Sequence, residues 1–99
     1  MALAASAREG CLSAQARSDL LEHIAWLDDR APSAADRAEA AIYLALDLLA
    51  LFPLSGSSCV DGTRQLPVRF GRDGYVLRYQ VMPDHLLVRR IFHSRQDRG

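Results

Sequence analysis

Three arginines and a histidine in the second half of the chain are the residues best suited to chemistry: Arg64, Arg78, Arg95 and His93. Guanidinium groups that come from separate segments and converge on one surface can grip a phosphate or a carboxylate bidentately. Several together can stabilise the charge that develops on a phosphoryl group in its transition state. His93 adds an imidazole that titrates near neutral pH and can move a proton. The plainer alternative is that each arginine is an ordinary solvated strand residue. Metal chemistry fits poorly, because His23, His85 and His93 fall into no H-x-x-x-H or Cys/His spacing. Cys11 and Cys59 also match no metal spacing, and two reduced thiols are a simpler reading than a disulfide. Neither a metal nor a cofactor is expected.

The net charge of zero conceals an asymmetry. Residues 1–62 hold four arginines against nine carboxylates, a balance of −5, and residues 63–99 hold eight against three, a balance of +5. All 12 basic residues are arginine. A basic second half points to an anionic partner. With 49% apolar and 24% charged residues the 99-residue chain has the composition of one small globular domain spanning 1–99. Met1 to Gly10 lacks the continuous apolar run of a signal peptide, and Ala40 to Leu54 is too short and too interrupted by Asp47 to span a bilayer. A cytoplasmic protein without a membrane partner is expected.

The elements that must position these residues follow from periodicity. Ala16, Leu20, Ile24 and Leu27 recur at spacings of three and four, which predicts a helix from Ser13 to about Asp28 with Ser13 as its N-cap. Arg30-Ala31-Pro32-Ser33 breaks it. Ser33 and Asp36 form an S-x-x-D start signal for a second helix reaching about Phe52, with Ala38, Ile42, Ala45, Leu46, Leu49 and Phe52 on its apolar face. Pro53 and Ser55-Gly56-Ser57-Ser58 end it. The period then becomes two, with strands predicted over 63–68, 75–81 and 85–92, joined by turns at Arg72-Asp73-Gly74 and Met82-Pro83-Asp84. Pro67 removes a ladder donor and so favours a sheet edge or a bulge. Residues 8–12 are a weak further strand, given the poor β-propensity of the alanine-rich start. The expected class is α+β: an N-terminal helical hairpin packed on a small antiparallel sheet. Tyr75 and Tyr79 share one strand face and are expected in the core, with Arg78 on the opposite face. Trp26 lies one position off the stripe of the first helix, at the rim of the core or in a partner interface.

This organisation resembles the ParE/RelE toxin superfamily, and more closely its ParE-like branch. Ser13-x-x-Ala16-x-x-Asp19-Leu20-x-x-Ile24 is similar to the family's first helix, and Leu49-x-x-Phe52-Pro53-x-x-Gly56 to the end of its second. Gly62-Thr63-Arg64-Gln65-Leu66 stands where ParE-like sequences carry Gly-Thr-Arg-Glu-Leu, so that Gln65 replaces an acidic residue. Gly74 to Val81 resembles the central strand, and Arg90-Ile91-Phe92-His93-Ser94-Arg95-Gln96-Asp97 the last strand and tail.

The resemblance implies the toxin of a type II toxin–antitoxin system, held in a hetero-oligomer by a cognate antitoxin of ParD-like, ribbon-helix-helix kind. ParE-type toxins inhibit DNA gyrase and need no active site of their own. The RelE-type alternative is a ribosome-dependent mRNA endonuclease. In RelE-like sequences the second residue after the central glycine is typically a catalytic arginine, and here it is Val76; the C-terminal tyrosine of that branch is also missing. Were the chain a ribonuclease, Arg64 and Arg95 would be its catalytic residues. Arg64, Arg78, His93 and Arg95 are the expected target contacts, with the three arginines converging on one sheet face or edge. Trp26 and Arg78 are the expected antitoxin contacts. The polar segment 93–99 is expected to matter for toxicity and not for folding.

Overall fold

A computed structural model describes residues 11–95, and the fold is α+β as the sequence indicates. Helix α1 spans Ala14–Arg30 and α2 spans Pro32–Leu51, followed by strands β1 (Ser57–Ser58), β2 (Arg64–Val68), β3 (Tyr75–Val81) and β4 (Leu86–His93). The strands form one antiparallel sheet in the order β1-β2-β3-β4. β3 coincides with its predicted range, since period-two alternation is bounded there by Gly74 and by Met82-Pro83. β1 was not anticipated: two exposed serines pairing with Gln65 and Arg64 carry no hydrophobic signal.

Ser13 caps α1 as expected, its hydroxyl accepting from the Ala16 amide at 3.1 Å and donating to the Arg89 carbonyl at 3.0 Å. The cap of α2 is a correction. Pro32 takes the first helical position, where a missing N–H is no loss, and Ala31 becomes the N-cap without any side-chain bond. Ser33 is thereby inside the helix, and its hydroxyl accepts from Arg37 at 3.5 Å. Phe52 is a second correction. It is the C-cap of α2 rather than a turn of it, so it leaves the apolar stripe and is exposed.

Both helices pack on one face of the sheet. Ile42 and Leu49 from α2 meet Leu77, Tyr79, Val88 and Ile91, all essentially inaccessible to water. Ile24 and Leu27 pack at the margin of this core. Pro67 lies beyond the two residues of β2 that pair with β1, consistent with an edge position for a residue without an N–H. Of the weak strand 8–12, residues 8–10 lie outside the described residues, and Leu12 makes a single parallel bridge to Val88. The Cys11 carbonyl accepts from the Val88 amide at 2.6 Å, and the Ser13 amide donates to the Val88 carbonyl at 2.9 Å.

One polar side chain in the core ties the first helix to the last strand. Asp19 is only 5% exposed. Its carboxylate accepts from Arg90 Nε at 2.8 Å and Nη2 at 3.3 Å, from the Ile91 amide at 2.9 Å and from Gln15 at 3.0 Å. Burial pushes its pKa up, but the hydrogen bonds from Arg90, Ile91 and Gln15 and the Arg90 charge outweigh that, leaving it below the ordinary carboxylate value. Asp19→Ala strands the Ile91 amide and the Arg90 charge, and should destabilise the protein by about 2–4 kcal/mol. Because the folded pKa is depressed, the stabilisation is present above the unfolded carboxylate value of about 4 and is lost as pH falls through the lower folded value. Thermal melting between pH 7 and pH 2 checks this: the melting temperature should drop more steeply with acid in the wild type than in Asp19→Ala.

Candidate functional site

The strand register decides where each expected site residue goes. Arg64 pairs with Tyr79, so it shares the helix-facing side with the core. There it donates through Nη1 to the carbonyls of Gly56 at 2.5 Å and Leu54 at 3.3 Å. The same loop is held by Tyr79, whose hydroxyl donates to the Pro53 carbonyl at 2.7 Å and accepts from the Gly56 amide at 2.9 Å. A Cβ on Gly56 would stand 2.6 Å from that hydroxyl, so only glycine lets the loop come this close.

His93 also faces the helices, but opposite Tyr75, four residues along β3 from the Arg64 pair, roughly 14 Å away by strand rise. Arg78 pairs with Gln65 and Arg90 on the far face of the sheet. Arg95 follows β4, its Nε on Asp73 at 3.0 Å and its side chain 69% exposed. The expected convergence of Arg64, Arg78 and Arg95 is therefore corrected: they occupy two faces and two ends of the sheet. The reason is the alternation of strand residues, which separates Arg64 and Arg78 once Arg64 pairs with Tyr79.

What the structure does bring together is His93 with Trp26. Both line a pocket of about 340 Å³ between α1 and the end of the sheet, with Glu22, His23, Leu27 and Tyr75. The His23 Nε2 lies 2.8 Å from the Ile91 carbonyl, a contact that requires the proton on Nε2. Tyr75 forms the floor, 5.2 Å from the His23 ring and 5.7 Å, edge-on, from the His93 ring. Its burial raises the phenol pKa, so the hydroxyl stays neutral near pH 7. The His93 Nδ1 accepts from the Arg95 amide at 3.2 Å. Trp26 is 57% exposed and carries the Arg30 guanidinium over its ring at 3.8 Å. The recess is walled largely by rings, with the Glu22 carboxylate among its lining residues. Tyr75 and His23 were missed as site residues; the His23–Trp26 spacing of three on one helix face was the available signal.

A hairpin of two helices on one face of a four-stranded antiparallel meander is an α+β arrangement consistent with the RelE/ParE-like fold. The family model described as the ParE toxin of the type II toxin–antitoxin system parDE matches residues 12–98, and the chain belongs to that family. It is similar to Toxin RelE3 of Caulobacter vibrioides, with 44% identity over 88% of this chain and 95% of the relative. Toxin RelE1 of the same organism is 36% identical over 88% of this chain and 94% of its own. A type II toxin has a cognate antitoxin as partner. Among the described residues no helix is long and apolar enough to cross a membrane.

Tyr79→Phe leaves the Gly56 amide and the Pro53 carbonyl without their partner, and should lower stability by about 1–3 kcal/mol. Chemical denaturation measures it. The same loop presents the carbonyls that hold Arg64, so hydrogen exchange at residues 54–57 should quicken in this variant.

Proposed function

We propose that this toxin acts on DNA gyrase, trapping the enzyme on cleaved DNA and blocking replication, and that it has no catalytic centre of its own. Val76 carries the reading. The position that holds a catalytic arginine in the RelE-like pattern is here a valine that is 7% exposed and sits on β3 between Pro67 and Phe92. A buried aliphatic side chain can neither protonate a leaving oxygen nor stabilise a phosphorane. The separation of Arg64 from Arg95 supports the same reading, because a nuclease needs its cations around one phosphate. The alternative, ribosome-dependent cleavage of messenger RNA, draws support from the RelE names of both relatives. Either target places the toxin in the cytoplasm.

On this reading the surface at the end of β4, with His93 and Arg95, contacts the target. The cognate antitoxin is a ParD-like, ribbon-helix-helix protein whose tail orders on contact and covers Trp26. Purified toxin should inhibit supercoiling of plasmid by gyrase and accumulate cleaved DNA, and induced cells should form filaments and mount an SOS response. Rapid arrest of translation with cuts inside ribosome-bound messages would establish the alternative instead.

Arg95→Ala tests the residue assignment. An exposed ion pair such as Arg95–Asp73 contributes about 0–1 kcal/mol, so the variant should melt near the wild type. Its inhibition of gyrase should weaken roughly ten- to a hundredfold, as for loss of a charge-assisted contact. Truncation is informative only after Ser94. The strand runs to His93, and the Ser94 amide donates to the Gly74 carbonyl at 3.0 Å, so the expectation that folding ignores everything after Phe92 is too generous.

A further inference from the structure

The face of the sheet turned away from the helices contains an arrangement that the fold does not explain. Arg78 and Arg90 stand directly opposite each other on β3 and β4. Like charges in that position destabilise an antiparallel pair. Both guanidiniums lean over the same Phe92 ring, at 4.8 Å for Arg90 and 5.8 Å for Arg78. Only one of them is neutralised. Arg90 gives Nε and Nη2 to the Asp19 carboxylate, which reaches round the edge of β4. Arg78 has a neutral partner, Gln65 Oε1 at 3.3 Å, and its Nε is buried with no acceptor among the described residues. A carboxylate that interacts with it through space, Asp61, is hydrogen-bonded to Thr63 in the exposed β1–β2 turn. A buried guanidinium donor left unpaired beside a second cation works against the isolated fold.

We propose that Arg78 is the receptor for a carboxylate of the cognate antitoxin, an Asp or Glu side chain laid across the outer face of β3. The inference rests on the type II toxin reading, which supplies the partner. Beside Arg78 lie the buried Val76 and Phe92, and Pro67 is exposed two residues beyond Gln65 on β2, so the guanidinium is the polar feature of an otherwise apolar stretch of this face. A nucleic-acid backbone would instead require a row of available cations. Here the cation directly opposite, Arg90, is already engaged bidentately by the Asp19 carboxylate. The incoming carboxylate accepts from the Arg78 fork, separates the Arg78 and Arg90 charges, and provides an acceptor that the described residues do not.

The test compares full-length wild type with Arg78→Gln and Arg78→Lys, using the cognate antitoxin. Titration calorimetry at 50 mM and 300 mM salt gives affinities, and thermal melting of the free toxins gives stability. Antitoxin binding should weaken ten- to a hundredfold in Arg78→Gln and less in Arg78→Lys, which keeps the charge but not the fork. The salt dependence of binding should be shallower in Arg78→Gln. The free Arg78→Gln toxin should melt at or above the wild-type temperature. A purely structural arginine predicts the opposite sign, so a clear drop in melting temperature overturns the proposal. Unchanged antitoxin affinity in a stable Arg78→Gln protein overturns the site alone, whereas failure of the wild type to bind removes the partner and the site with it. Loss of binding to a short DNA or RNA duplex, with antitoxin affinity intact, would assign the residue to nucleic acid and equally overturn it.

Discussion

Everything in this fold is hung on the Asp19 carboxylate. A buried charge needs hydrogen bonds and a countercharge to be tolerated. Arg90 and the Ile91 amide supply both, from a strand 71 and 72 residues further along the chain. Asp19 therefore fixes the rotation of α1 as well as its position, since only one setting of the helix aims the carboxylate at the β4 edge. That setting places Ser13 on the Arg89 carbonyl and His23 on the Ile91 carbonyl. Three side chains of one helical segment thus occupy backbone groups that an unpaired edge would leave open to other chains. The pocket at Trp26 and His93 exists because the helix is held at this angle.

The two faces of the sheet consequently do different work. The inner face is packed by the helices and ends in a recess lined by rings. The outer face has a short apolar strip, Val76 and Phe92, bordered by cations. The charge asymmetry of the sequence is resolved in space the same way: the acidic half is mostly helix, the basic half is mostly sheet. An antitoxin that wraps both meets two chemistries.

The fold was legible where pattern is dense. The stripe Ala38, Ile42, Ala45, Leu46, Leu49 is buried as its spacing requires, and the alternation in 75–81 places Tyr75 and Tyr79 inside and Arg78 outside. Legibility failed where a local rule met a stronger one. Pro32 displaced the Ser33 cap because a fixed φ without an N–H suits the first turn. β1 is held by its partner strand and has no pattern of its own. The site was legible residue by residue but not as an assembly. Arg64, Arg78 and His93 are spaced suggestively, yet only the register shows that they part onto different faces. Asp19 matches a family position of the first helix, but its burial is invisible in the sequence because a carboxylate on an apolar stripe has no mark until its arginine is known.

The span of that one ion pair also shapes how the molecule comes into being. The helical hairpin is made of near neighbours, and local contacts of that kind form quickly. The Asp19–Arg90 bond closes a loop of about seventy residues, a contact that must wait for the rest. On a ribosome, α1 leaves the tunnel long before β4 has been translated. Until then Asp19 is a solvated carboxylate, β3 has one neighbour instead of two, and the recess at Trp26 has no far wall. The recess and the completed sheet are therefore absent from the growing chain and arrive together, in the final step of its assembly.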